Sequence, residues 1–375
     1  MTKSAKRRAP LWSRLTLVFG CVFLVLSGAT LVTGQALMSK YAGAVTDNTL
    51  LDEQPAEAAT KKDLKGPLNI LLVGIDPRDE STAPLSDSII VAHIPEDRSR
   101  AYLFSMPRDL YVDIPSFPKA GVNAHQAKIN AAMALGSQIG NGKYDVKQGF
   151  QLLSKTVSGA TGIKKFDAGA IINFGGFKKI VEAMDGVDMI IDQDVASEHL
   201  QPNGKPRARK PSCQGHHRCS RPYTGPQKQY KKSNKPVHLE AWEALDYVRQ
   251  RYGLPRTDYD RQRHQQQFIK AMAKQAMSKD VVTDPGKLLK VAGAAGDSLT
   301  FAGGQHSIVD WALELRSINT DDMTTINLPG GGYQPNGDYL GEKFYPEVDE
   351  FFVAVRENRV AEFLLDHPTF VNNEG

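Results

Sequence analysis

The sequence predicts an α/β layered domain, and three observations carry that prediction. Short aliphatic and β-branched runs, "LNILLVGID", "SIIVAHIP" and "AYLFSMP", follow one another closely and are punctuated by Asp, Gly, Pro or Ser, as strands are. Their apolar continuity points to a central sheet covered on both faces. Beyond them helical periods alternate with further strand-like runs, which is the order of an α/β fold, and no internal repeat interrupts it.

Taken in order, the 375-residue chain opens MTKSAKRRAPLWSR and then runs uncharged and apolar from Leu15 to Thr33. That is about the length needed to cross a hydrocarbon core. Lys3, Lys6, Arg7, Arg8 and Arg14 precede it, so the positive-inside rule keeps the N-terminus in the cytoplasm. The expectation is a cytoplasmic basic tail over 1–14, one transmembrane helix over 15–35 and an extracytoplasmic stalk over 36–67, in a single-pass protein of the cell membrane. A cleaved signal peptide competes, because "AGA" at Ala42 to Ala44 has cleavage-site spacing, but the apolar run is longer than a usual signal core. The stalk segment is polar and rich in Ala, Glu and Lys, with no sustained apolar period.

The folded part is expected over 68–375, as one domain with no second linker. Helical patterns appear in "HQAKINAAMALGS" and "YDVKQGFQLLSKTVSG", then a strand "FDAGAIINF", a helix "GGFKKIVEAM" and a strand "VDMIID". The stretch 201–236, dense in Pro, Lys, Arg, Gln and Ser, reads as a surface insertion. Cys21 falls in the apolar run, which leaves Cys213 and Cys219 outside, and a disulfide closing "CQGHHRC" is expected. A zinc site with His216 and His217 competes with it, but the spacing is too tight for the usual finger or ribbon. So short a loop contributes only about 2 kcal/mol by the chain-entropy model. Helices resume at His238, "TTINLPG" reads as a late strand, and the helical pattern "SIVDWALELRSI" suggests that the tail packs on the same domain.

The densest chemistry lies in "RQRYGLPRTDYDRQRHQQQFIKAM", Arg249 to Met272, with five arginines and two aspartates. Leu239, Trp242 and Leu245 mark an apolar helical stripe on which Arg249 also falls, so Arg249 is expected to point inward. Gly253 and Pro255 end that helix, and an unwound last turn would let Arg251 join Arg249. In the next helix Asp258 and Asp260 are candidate N-caps, and Arg261, Gln265, Phe268 and Met272 share one face. Buried arginines need partners, and a helix N-terminus favours anions, so the cluster reads as a recessed anion site with Arg256 and Arg263 left to solvent. The competing reading is a solvated basic helix, or structural salt bridges with Asp246, Asp258 and Asp260.

Two other stretches favour the anion site. Asp76 ends one strand and Asp87 begins the next, which brings two carboxylates to one sheet edge, where α/β folds place ligands. Paired carboxylates beside a phosphate site suggest Mg²⁺ or Mn²⁺, held through those carboxylates and substrate phosphates. Arg108, in "FSMPRDLYV", likewise follows a strand end. A lipid slot could be lined by Phe150, Leu153, Phe177, Ile180, Val181, Phe268 and Met272, which are equally ordinary core residues.

The ordered set "VGID", "SDS", "SMPRD", "KIN", "NFGGF" and "YVRQRYGLPRTDYDRQRHQQQ" after one N-terminal apolar run resembles the LytR-CpsA-Psr family of cell-wall enzymes, over about Leu68 to Met277. The resemblance implies an α/β/α sandwich with a central mixed sheet and a pocket for a polyprenyl tail. It implies a phosphotransferase that moves a glycopolymer, such as a teichoic acid, from an undecaprenyl pyrophosphate carrier onto peptidoglycan. Family positions fall on Asp76 and Asp87 as metal ligands, on Arg108, Arg249, Arg251, Arg261 and Gln265 as pyrophosphate ligands, and on Asp258, with Arg108, as catalytic groups. Lys128, Asn130 and Asn173 also match, with plain hydrogen-bonding roles as the alternative. His264 stands where many members have Arg, and its helical angle predicts a change at the rim.

Expected partners are the polyprenyl pyrophosphate-linked glycopolymer, the peptidoglycan acceptor and the membrane. A lipid pyrophosphate hydrolase and a non-catalytic receptor for anionic wall polymers are the alternatives; acceptor requirement separates the first, metal independence the second. Nucleic acid is not expected as a partner, since a net charge of +4 is small for this length and no recognised motif is present.

Overall fold

In a computed structural model the described residues are 50–51, 64–77, 81–213, 219, 221–276, 299–304 and 320–372, with single positions between 291 and 318. Three strands come first, β1 (Leu68–Ile75), β2 (Ser86–Ile94) and β3 (Ala101–Ser105), followed by the small pair β4 (Tyr111–Ile114) and β5 (His125–Lys128). Helices α1 (Asn130–Gly136) and α2 (Val146–Thr161) lead to β6 (Ala168–Asn173), α3 (Phe174–Ala183) and β7 (Val187–Ile191). The short strands β8 (Val195–Ala196), β9 (Ala208–Arg209), β10 (Tyr223–Thr224) and β11 (Gln229–Tyr230) precede β12 (Ser233–Leu239), α4 (Ala241–Arg249) and α5 (Asp258–Ala276). Then come β13 (Leu299–Ala302), β14 (Met323–Ile326), the hairpin β15 (Gly330–Tyr333) and β16 (Gly341–Phe344), α6 (Glu347–Arg356) and α7 (Val360–Asp366).

The central sheet has the order β13-β6-β1-β2-β3-β14. It is mixed: β1 is parallel to β6 and β3 to β14, and the other neighbours are antiparallel. Strand alternation feeds a core on each face. Leu71, Val73 and Ile75 pack with α2 and with Phe351 and Phe352 of α6, whereas Leu68 and Ile70 pack with Ile180 of α3 and with Trp311. β7 does not enter the sheet. It pairs with β12, and the two pack with α4 and α5 around Met189, Tyr247 and Phe268.

The expected transmembrane helix is corrected here: no helix among the described residues is long and apolar enough to cross a membrane. The longest described helix is α5, 19 residues carrying Asp, Arg and Gln, and the interval 15–35 lies outside the described residues. The fold of the described residues is α/β with a mixed central sheet, and none of their helices is a membrane span. The expected single-pass transmembrane location is corrected by the same finding. A second correction concerns "HQAKIN", read as helical: His125–Lys128 is the strand β5, because it pairs with β4 from Tyr111↔Lys128 to Ile114↔His125. Cys213 and Cys219 are disulfide-bonded with Cα atoms 5.6 Å apart, while His216 and His217 lie outside the described residues.

Two glycines of α2 should respond oppositely to alanine. A Cβ at Gly149 would lie 2.5 Å from the Met133 carbonyl of α1, whereas one at Gly159 meets nothing within 4 Å. Gly149→Ala is expected to cost about 1–3 kcal/mol, and Gly159→Ala to add about 0.5–1 kcal/mol through helix propensity, both read by denaturant unfolding. His93, buried in β2, has its pKa pulled down from 6.5 to about 4 by burial. Folding thus favours the neutral ring. Its contribution is complete above the unfolded value of 6.5 and is lost as pH falls toward 4 and below. Unfolding free energies measured from pH 7 to 4 should fall less steeply in His93→Gln than in the parent.

Candidate functional site

The strand directions bring the ends of β1, β3, β6 and β14 and the start of β2 to one edge. The β1–β2 register breaks there: Ile75 pairs with Ser86 and Gly74 with Ser88, which leaves Asp87 as the extra residue of a bulge. Bulges re-aim side chains beside sites. Asp76, one residue past β1, and the bulged Asp87 therefore lie on the same edge.

Each carboxylate has an arginine. Arg108, just beyond β3, donates through Nη1 to Asp87 Oδ1 at 2.6 Å. Burial presses its pKa down, but Asp87, Asp109 and Asp258 together raise it above the ordinary value. Arg249, the last residue of α4, reaches Asp76 Oδ2 at 3.3 Å, with its guanidinium 4.3 Å from the centre of the Phe174 ring. Its inward orientation is corrected: the buried positions of α4 include Ala241, Ala244, Tyr247 and Val248, Leu239 belongs to β12, and the Arg249 side chain is 39% exposed. Arg249 comes to the edge by its length from the rim.

Arg261 is the buried member. It is 6% exposed, and its Nη2 lies 2.7 Å from Asp258 Oδ1 and donates to the Asp87 carbonyl at 3.0 Å. Burial lowers its pKa, Asp258 opposes that, and the charges of Arg108 and Arg251 add to the lowering. Arg251 thus shares the field of the cluster, while its guanidinium rests against Tyr252, 5.0 Å from the ring centre and 3.3 Å from the hydroxyl. The backbone is extended at Gln250, which ends α4 before it and lets Arg251 turn. One turn beyond Arg261, Gln265 accepts from Ser88 Oγ at 2.8 Å and donates to the Val248 carbonyl at 3.3 Å, so it ties α5 to β2 and α4.

Several finer expectations change. Asp258 is the first residue of α5 and Asp260 lies in its first turn, so neither is the N-cap; Thr257, in the left-handed region at φ 45°, precedes them. Asp260 instead accepts from the Arg256 backbone N–H at 2.9 Å. Arg263, expected in solvent, is 15% exposed between Asp192 at 2.5 Å and Asp260 at 3.0 Å. His264, expected at the rim, is fully buried, stacked on Tyr247 and 3.2 Å from Asp192. Both corrections have one cause: β7 and its following loop cover that side of α5 and bring Asp192 onto it. Asn173 caps α3 through Gly176 N–H, Lys128 pairs with Asp109 at 3.2 Å, and Asn130 donates its backbone N–H to the Arg108 carbonyl.

Behind the edge, between the sheet and α3 and α5, lies a cavity of about 310 Å³. Its mouth is formed by Gly74, Ser88, Asn173, Phe174 and Gln265, and its interior is almost wholly apolar. Of the lipid-slot candidates, Phe177, Ile180, Phe268 and Met272 line it. Phe150 and Leu153 belong to the core on the opposite face, and Val181 to the β7–β12 core. The arrangement is suited to an amphipathic ligand with an anionic head on the arginines and an apolar tail in the cavity. Among the described residues no three His, Cys, Asp or Glu side chains are grouped to hold a metal. Asp76 and Asp87 still provide two hard oxygen donors, which is enough for Mg²⁺ when phosphates complete the shell.

The LytR_cpsA_psr family model matches residues 35–355. "Cell wall biosynthesis protein LcpA" of Corynebacterium glutamicum is 26% identical over 299 residues, covering 73% of this chain and 52% of its own length, so the chain spans about half of that relative. The "Polyisoprenyl-teichoic acid--peptidoglycan teichoic acid transferase TagU" of Enterococcus faecalis is 25% identical over 337 residues, covering 89% of this chain and 91% of its own. Among solved structures, TagT bound to LIIa-WTA superposes with a TM-score of 0.53 at 21% identity, over 80% of this chain and 94% of that one. Protein gbs0355 from Streptococcus agalactiae gives 0.57 at 21%, over 80% and 88%. At these identities the structures share the fold.

The two arginines at opposite extremes of burial should separate stability from binding. Arg261→Ala would leave Asp258, 15% exposed, with Gln262 but without its ion-pair partner, and is expected to cost about 3–5 kcal/mol. Arg249→Ala removes an exposed pair and is expected to cost less than about 1 kcal/mol. Urea unfolding of the two variants checks the contrast.

Proposed function

The chain belongs to the LytR-CpsA-Psr family, and from that premise we propose that it transfers a glycopolymer from a polyprenyl pyrophosphate carrier to peptidoglycan. The observation that carries the proposal is the junction at the sheet edge. Arg108, Arg249, Arg251 and Arg261 converge beside two carboxylates at the mouth of an apolar cavity. A pyrophosphate with a hydrocarbon tail matches both halves. The relative named as a cell wall biosynthesis protein, the one named as a teichoic acid transferase, and the TagT complex with LIIa-WTA support the same substrate class.

Phosphoryl transfer asks for alignment and charge stabilisation more than for covalent help. An acceptor hydroxyl attacks the polymer-bearing phosphorus. A new P–O bond forms as the bond to the lipid phosphate breaks, which leaves a phosphodiester on the acceptor and a lipid monophosphate. Arg261, fixed by Asp258 and the Asp87 carbonyl, sets the position of the phosphates. Arg249 and Arg108 can exchange a carboxylate for a phosphate oxygen, since both are charge-assisted hydrogen bonds. Asp258 lies in the first turn of α5 beside Arg261 and takes the hydroxyl proton on its Oδ. Mg²⁺ or Mn²⁺ held by Asp76 and Asp87 would supply further neutralisation of the phosphate charge.

The test is transfer from an undecaprenyl pyrophosphate-linked saccharide to peptidoglycan, followed as linked product and lipid monophosphate. Arg249→Ala is expected to lower kcat/KM by about 10²–10³, as loss of one preorganised charge donor does. A chelator should abolish transfer and added Mg²⁺ restore it. Lipid monophosphate released with no linked product would identify a hydrolase. Donor binding with no turnover, unaffected by chelation, would identify a receptor.

A further inference from the structure

The transfer proposal leaves the acceptor without a seat, and the structure offers one. The β15–β16 hairpin lies against the Arg108 end of the site: Glu342 N–H donates to the Asp109 carbonyl at 2.7 Å, and the Tyr259 hydroxyl donates to Glu342 at 3.3 Å. This closeness depends on glycine. A Cβ at Gly341 would collide with the Asp109 carbonyl, and one at Gly330 would lie 2.7 Å from the Tyr259 hydroxyl.

The outer side of the hairpin is tyrosine. Tyr339 is 45% exposed and Tyr345 50% exposed, and the half-exposed Tyr333 lies against Tyr111 with ring centres 5.7 Å apart. Three successive glycines keep the neighbouring backbone bare, so that a Cβ at Gly331 would meet the Tyr345 hydroxyl at 3.0 Å and one at Gly332 the Tyr339 ring at 3.5 Å. Tyr339 is linked to Arg108 through Lys128 and Asp109. Lys128 stands 4.9 Å over its ring and pairs with Asp109, which in turn lies 3.8 Å from Arg108 Nε.

We propose that this tyrosine surface, Tyr333, Tyr339 and Tyr345 with Lys128, binds the acceptor glycan strand of peptidoglycan. The inference rests on the transfer proposal and adds to it the side from which the acceptor approaches. In an in-line displacement the attacking and leaving oxygens lie on opposite sides of phosphorus. The leaving lipid phosphate belongs to the cavity side, whose mouth is built from β1, β2 and β6. In the sheet order β3 and β14 follow β2, and the hairpin leaves the end of β14. The cavity, the arginines and the tyrosines therefore succeed one another along one edge. Sugars present apolar C–H faces and polar rims, and tyrosine presents an apolar face with a polar tip.

The experiment uses the full chain in two assays. In the first, sedimentation with purified peptidoglycan stripped of wall polymer, the parent and Tyr339→Phe are expected to bind alike. Tyr339→Ala should bind about fivefold more weakly, the scale of one aromatic stacking contact. In the second, Tyr339→Ala should raise KM for the acceptor by a similar factor and move the Kd of the pyrophosphate donor less than twofold. Equal peptidoglycan binding by parent and Tyr339→Ala would overturn the inference, as would a loss confined to donor affinity. If the parent binds peptidoglycan through Tyr339 yet transfers nothing, the tyrosine surface stands and the transfer proposal fails.

Discussion

The constraint on which the site depends is the burial of a polar helix. α5 carries Arg261, Gln262, His264, Gln266 and Gln267 in buried positions, and no group of that kind is stable inside a protein without a partner. Each partner fixes the helix from a different direction. Gln266 donates to Ser105 of β3 and to the Ile326 carbonyl of β14, and accepts from Asn372. Gln267 donates to Asp192, which also holds Arg263 and His264. Helix rotation or sliding would break several of these contacts at once. Arg261 therefore stands at the sheet edge because the rest of α5 has nowhere else to go.

The sheet supplies the complementary half. A mixed order with β1 between a parallel and an antiparallel neighbour puts the end of one strand and the start of the next at the same edge, and the bulge at Asp87 turns a ladder position outward. Arg261 donates its second bond to the Asp87 carbonyl, so the irregularity in β2 and the buried arginine of α5 are two sides of one contact. The cavity follows from the same arrangement, because Ser88 and Gln265 hold β2 and α5 together at its mouth.

Much of this was legible in the sequence where information is local. The runs that became β1, β2 and β3 are aliphatic on both alternations, which is how a sheet with two cores is written, and strand ends carrying Asp76, Asp87 and Arg108 fall on one edge by direction alone. The spacing of Arg261, Gln265, Phe268 and Met272 gave one face of a helix correctly. The misses are long-range. Nothing near Arg263 or His264 in sequence announces Asp192, and helical period cannot tell a solvated face from one covered by β7. Arg249 was misread because Leu239, Trp242 and Leu245 imitate a stripe, when Leu239 is the last residue of a strand and the capping box at Glu240 begins the helix after it. The apolar run near the N-terminus states hydropathy and no more, and the described helices include none that crosses a membrane. The tyrosine hairpin carried no periodic signal, since its position depends on glycines that admit a close approach.

The arginines divide by burial into two kinds with different physical roles. Arg261 is immobilised by a carboxylate and a carbonyl in a desolvated place, so its charge acts at higher effective strength and from a fixed point. Arg249 and Arg251 are held loosely, each against an aromatic ring, Phe174 and Tyr252. A guanidinium on a ring face keeps its donors free in the ring plane, so it can turn toward a phosphate without leaving its support. Phe174 has a second role, because it also lines the cavity mouth. One ring thus touches both the guanidinium and the apolar space, so it would mark where the anionic head of the proposed lipid substrate gives way to its tail. Lysine at 249 would keep the charge but lose both the flat contact and the fork. On the proposed function, the need for arginine at this position is therefore set by Phe174 as much as by the phosphate.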